Sequence, residues 1–320
     1  MTLTAKTPIV KRVPPADLEE SEKYIAGVQQ ISSNLMPQQA APRIVWHYTT
    51  GEGLIGIISS SEIWSTHIAC LNDSTEMAYA TSLVHNAILQ HQLPPSLSRA
   101  ERQLIEALDK YWSRDKQASD DWFVTCFSVQ SDDLNQWRAY AGGEGGYSIG
   151  FRTSGIKRLD GHRYPLLPVI YDIQRHAELS QAVAKATLKF FLDGMKTRQG
   201  FAPQQWAYAF LPSWTSAVSH LFPLLKNPAF RAEEEWRIAY RRHKDEVVQS
   251  KFRQRQLMLS RHLPIRFNSA KGLKLPIAEI KVGPSRHAAV SRSGVRDLLR
   301  AHGYPDWIPI STSKVPLQFT

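Results

Sequence analysis

Trp122-Phe123-Val124-Thr125-Cys126-Phe127-Ser128 is an uncharged run of aromatic and β-branched residues, short for a helix and suited to a pleated, buried surface. It is predicted to be a strand, and it needs partners. Further β-prone segments stand at residues 43–48, 63–66, 147–151, 167–171, 235–240, 277–282 and 307–311. Helical periodicity comes in pairs, at 74–91 and 96–112 and again at 176–196 and 203–221, with Pro212 expected to break or kink the last. Shorter helices are predicted at 54–60, 132–141 and 288–302, and a longer one at 244–261. Single alternating helices would favour a doubly wound sheet. Irregular spacing and paired long helices favour an α+β fold instead, a mixed central sheet surrounded by helices.

Residues 1–42 read as an N-terminal helical arm and linker, Asp17 capping a helix that runs to about Ser32 and Pro37–Pro42 forming the link. Residues 43–320 read as a single α+β domain. Hydrophobic residues at 42% and charged residues at 21% exclude collagen, coiled coil and wholesale disorder. No apolar run approaches the ~20 residues of a membrane span, and no secretory leader pattern opens the chain. The expectation is a soluble, cytoplasmic protein without a membrane partner. Cys70 and Cys126 are too few for a disulfide framework, and the eleven histidines include no His-Glu-x-x-His or compact ligand cluster, so no metal is expected.

Two local motifs fail on context. Gly146-Tyr147-Ser148-Ile149-Gly150 matches Gly-x-Ser-x-Gly, but a nucleophile elbow needs a strand before the serine and a helix after it. Here a glycine loop precedes Ser148 and strand follows. That loop, residues 142–146, carries neither a Walker pattern nor Gly-x-Gly-x-x-Gly.

Charge gives a bias. Lysine plus arginine number 39 against 29 acidic residues, a formal net charge of +10 that favours anionic partners. Much of it lies between Arg241 and Arg266, where Arg241, Arg242, Lys251, Arg253 and Arg255 are candidate nucleic-acid contacts; a solvated helix face is the competing reading.

Four separated pieces carry more than any local motif. They are Trp46-His47-Tyr48-Thr49-Thr50 with the helix after it; Asn72-Asp73; Cys126-Phe127-Ser128 through Trp137, Tyr140 and Tyr147 to Phe151; and Lys226 through Phe230 to Glu233-Glu234-Glu235-Trp236-Arg237. In this order they resemble the mostly bacterial DUF2971 family, from about Val45 to Ser313. More distantly, a His-Tyr-Thr strand followed by a helix, later aromatic strands and a glutamate opening a late strand look like the ADP-ribosyltransferase superfamily. That resemblance implies an ADP-ribosyltransferase-like strand order, with NAD as substrate and a protein or nucleic-acid acceptor. It implies His47 as ribose ligand, Tyr147 as the aromatic on nicotinamide with Tyr48 and Tyr140 competing, Thr49 and Ser128 beside them, and Glu235 or Glu233 as the catalytic carboxylate. The expected function is an NAD-dependent ADP-ribosyltransferase-like enzyme, a bacterial defence or toxin effector. The alternative is a non-catalytic basic nucleic-acid-binding module of a stress or defence system. Each residue also has a purely structural reading: His47 bonding a neighbouring strand, Glu235 paired to Arg237 or Lys226, and Trp137 and Trp236 as core anchors.

Overall fold

The computed structural model describes residues 18–71, 76–90, 98–114, 122–141, 145–156, 165–198, 200–242, 250–255, 258–267 and 274–316. The chain is mixed α+β and divides into two units interleaved along the sequence: Met1–Met36, Ala78–Ser119 and Ile173–Phe222 form one, and Pro37–Met77, Asp120–Asp172 and Pro223–Thr320 the other. The expected boundary near residue 42 follows the first segment of the former unit.

That first unit holds α1 (Leu18–Leu35), most of α3 (Glu76–Gln90), α4 (Arg99–Arg114), α6 (Ile173–Thr197) and α7 (Pro203–Ser219). The short helix α2 (Gly51–Ser60) belongs to the second unit. Tyr24 of α1 is buried between Phe190 and Phe210, ring centroids 4.8 and 5.2 Å away, and its hydroxyl meets Thr187 at 2.7 Å. Trp206 is sealed under the Arg198 guanidinium at 3.8 Å, which Glu20 clamps from α1. Helix α7 runs through Pro212 without ending, so of the expected break or kink the break does not occur.

The second unit is built outward from β3 (Trp122–Ser128), which coincides with the expected strand. Its other strands are β1 (Ile44–Thr49), β2 (Ile63–His67), β4 (Tyr147–Arg152), β5 (Leu166–Pro168), β6 (Glu235–Arg241), β7 (Lys251–Arg255), β8 (Met258–Ile265), β9 (Ile277–Val282) and β10 (Ile310–Thr312). The order is β10-β9-β4-β1-β3-β2-β8-β7, with β6 pairing β3 and β5. β10 runs parallel to β9 and the other ladders are antiparallel, so the sheet is mixed. Besides α2, the unit carries α5 (Leu134–Tyr140) and α8 (Ala288–Ala301). Val45, Phe127, Ile149 and Phe151 meet Leu54 and Ile57 of α2 and Val295 and Leu299 of α8 in one core; Trp46, Tyr48, Trp137 and Ala141 form a second. Each of the buried Val, Leu, Ile and Phe side chains contributes roughly 1.5–3 kcal/mol by burial. Trp137 and Trp236 are core anchors, as their structural reading has it.

The predicted helix at 244–261 is corrected where it is described. Residues 251–255 and 258–265 are the hairpin β7–β8. Lysine, arginine, glutamine and leucine are good helix formers, but β8 is laddered by β2 on one edge and β7 on the other, and sheet pairing overrides propensity. Ser148 lies mid-strand in β4, fully buried, not on an elbow.

Gly146, just before β4, has φ +85°, and a Cβ there would lie 2.4 Å from the Ala141 Cβ and 2.7 Å from its Cα. Gly146→Ala is therefore expected to lose about 2 kcal/mol from the left-handed backbone and the clash. A thermal midpoint several degrees lower in a calorimetric scan checks this, and an unchanged midpoint refutes it.

Candidate functional site

The sheet forks at β3. Strand β6 occupies one edge of β3 from Trp122 to Ser128. The opposite edge is divided: β2 pairs at Phe123 and Val124, and β1 pairs only at Ser128, through Trp46. Between those contacts the Cys126 carbonyl is met by the His47 imidazole, Nδ1 at 2.9 Å. A carbonyl oxygen only accepts, so Nδ1 carries the proton, and in the neutral ring Nε2 is the acceptor. His47 does bond a neighbouring strand, and that bond fixes its tautomer. Its ring and that of Phe127 pack edge to face, centroids 6.0 Å apart.

Strand alternation sends Glu235 and Arg237 to one side of β6, where the register sets them beside Ser128 and Cys126. Arg237 is fully buried and grips Glu235 with two bonds, Nε to Oε1 at 2.8 Å and Nη2 to Oε2 at 2.9 Å. The same guanidinium meets Glu76, at the start of α3, at 3.0 and 2.9 Å. Lys226 completes the cluster. It follows the parallel bridge between Ile170 and Leu225, its own N–H donating to the Ile170 carbonyl, and its Nζ reaches Glu233 at 2.6 Å, Glu235 at 2.9 Å and Glu76 at 3.2 Å.

Three carboxylates thus face two cations, leaving one negative charge when all are ionised. Burial pushes the Glu235 carboxyl up, but the Arg237 and Lys226 cations outweigh it and hold it down at about 2. For Glu233 burial prevails over Lys226, and its carboxyl lies above the usual glutamate value. Its Oε2 binds Lys226, while Oε1 has no hydrogen bond among the described residues. Glu233 is the carboxylate of this group that remains available. Burial and the Glu235 carboxylate raise the Cys126 thiol, and burial with Glu233 and Glu235 raises the Tyr140 hydroxyl.

Two narrow cavities open on this cluster. The smaller, about 30 Å³, is lined by His47, Tyr48 and Ser128 together with Tyr140, Glu233 and Glu235. The larger, about 80 Å³, shares Cys126, Tyr140, Glu233 and Glu235 and extends to Trp64 and Phe230. Six sequence-predicted residues therefore meet at one place. Two of them are committed to structure: the Tyr48 hydroxyl donates to the Gln130 carbonyl at 2.8 Å and accepts from Asp133 N at 3.0 Å, and Ser128 Oγ accepts from Gln130 N at 3.1 Å. Thr49 and Tyr147 pair with each other at the C-terminal end of β1, and Tyr147 packs on the main core; neither lines the two cavities. Asn72 and Asp73 lie outside the described residues.

The basic candidates occupy β6, β7 and the residue that follows β6. Arg253 donates to Thr66 at 2.9 Å and lies over the Trp64 ring at 5.4 Å. Lys251 and Arg266 pair with the buried Glu62 at 3.3 and 2.7 Å. Arg242 bonds Ser250 and lies 6.0 Å from the Phe123 centroid. Arg241 ends β6 opposite Trp122, and Arg255 closes the β7 ladder opposite Met258. This segment is a strand edge with much of its charge internally engaged. Sequence reading missed Glu76 altogether, since locally it is an ordinary acid in a helix's first turn.

A family model described as protein of unknown function (DUF2971) matches residues 136–238. The matched stretch supports the DUF2971 resemblance and contains Tyr140, Lys226, Glu233, Glu235 and Arg237, but not His47. No curated protein and no solved structure matches the chain.

Proposed function

We propose that this cleft breaks the nicotinamide–ribose bond of NAD and passes ADP-ribose to an acceptor. What supports this is the convergence of His47, Tyr140, Glu233 and Glu235, from three separate stretches of chain, on one small cavity. Cleavage of the glycosidic bond builds positive charge on the sugar, which a fixed carboxylate stabilises. Glu233, the available acid of a cluster with one excess negative charge, supplies it. Glu235, locked by Arg237 and Lys226, holds the frame. His47 Nε2 accepts from a ribose hydroxyl, and the Tyr140 ring offers a face to nicotinamide. Cavities of about 30 and 80 Å³ are far below the roughly 300–1,000 Å³ of typical small-molecule sites, so entry of the riboside requires the side chains around Tyr140 to give way.

The purified chain incubated with NAD is expected to release nicotinamide, read by chromatography. His47→Ala is expected to raise the KM for NAD about tenfold through loss of a ribose hydrogen bond, with a smaller effect on kcat. Absence of both nicotinamide release and an NAD-dependent melting shift in the wild-type chain overturns the proposal.

A further inference from the structure

We infer that the larger cavity is the acceptor subsite and that it takes a nucleobase of a single-stranded nucleic acid; this rests on the NAD reading above. The two cavities share a wall of Cys126, Tyr140, Glu233 and Glu235, so groups seated in either face the same carboxylate. A transfer reaction needs this arrangement, whereas simple hydrolysis needs no second cavity. The walls peculiar to the larger cavity include two flat rings, Trp64 and Phe230. Arg253 and Lys226 each lie over one of these rings, at 5.4 and 5.0 Å, so a planar base stacks on the face each cation leaves, and such stacking tolerates any sequence.

Charge is divided along the cavity in the way a nucleotide demands. Its inner end holds Glu76, Glu233 and Glu235 against Lys226 and Arg237, so the surplus there is acidic and favours an N–H donor. Its Trp64 side is cationic: Arg253 is hydrogen-bonded to Thr66 and lies over Trp64, both of which line the cavity, while Lys251, two residues before it on β7, is paired to Glu62. Phosphates beside Arg253 and an exocyclic amine toward Glu233 satisfy both ends.

In the reaction the ribose–nicotinamide bond breaks and nicotinamide leaves as a neutral molecule with the bonding pair. The base amine donates its lone pair to the anomeric carbon, forming a new C–N bond. The amine's displaced proton passes to Glu233 and then to solvent.

The test uses the full chain, labelled NAD and three acceptor arms: mixed-sequence single-stranded DNA, the same sequence as RNA, and casein. Nicotinamide release and label transfer are read separately. Label is expected on a nucleic-acid strand, falling steeply as salt rises from 50 to 200 mM. Phe230→Ala, on the 3-10 turn Pro228–Glu233, which contains no buried residue, is expected to raise the strand concentration for half-maximal labelling about tenfold. Nicotinamide release with label only on casein, or only as free ADP-ribose, overturns this inference and leaves the NAD reading standing. No nicotinamide release in any arm overturns this inference, and if NAD also gives no melting shift the NAD reading falls with it.

Discussion

Arg237→Met is expected to lower the thermal midpoint by about 10 °C, from a loss of roughly 3–5 kcal/mol. The guanidinium is fully buried and is held by both oxygens of Glu235 and by Glu76. Its removal leaves those two carboxylates, 5% and 2% exposed, with only Lys226 between them. The loss is the cost of uncompensated buried charge rather than the net worth of the pairs, which desolvation reduces. Arg237→Met combined with Glu76→Gln is therefore expected to recover part of the lost midpoint. A single variant within 2 °C of the wild type, measured by calorimetry, would show that the cluster carries no such penalty.

Glu233→Gln is expected to reduce nicotinamide release by about 100- to 1,000-fold while leaving the midpoint nearly unchanged. Its side chain is partly exposed, and its contact with Lys226 is one of three that lysine makes. Glu235→Gln, by contrast, is expected to impair folding and activity together, because it strips Arg237 of its two-bond partner. Since burial raises the Glu233 carboxyl and catalysis uses its ionised form, the rate is expected to rise with pH through a limb above 4.5, the ordinary glutamate value, and Glu233→Gln is expected to abolish that limb. If Glu235→Gln alone abolished activity, with folding intact and Glu233→Gln silent, the two roles would be reversed.

Local signals made much of the fold legible. The apolar run at Trp122–Ser128 and the alternation at Ile277–Val282 are strands because their side chains have no other way to leave water. The β7–β8 hairpin was hidden, since Lys251 to Arg255 has no local reason to prefer extended chain until β8 offers its edge. The site divides the same way. Glu235 and Arg237, two apart on a strand, announce a shared face, and His47 stands in an obvious β segment.

The residue types and periodicities of this chain determined by themselves that it is α+β, where most of its strands lie, and that His47, Glu233 and Glu235 are candidates for chemistry. Tertiary structure alone decided that Glu76 joins the cluster from 161 residues away, that His47 spends Nδ1 on Cys126, and that Glu233 rather than Glu235 keeps an oxygen available. The reason is physical: propensity and hydrophobic period act over a few residues, whereas a buried charge takes its partner from whatever the fold brings within about 3 Å.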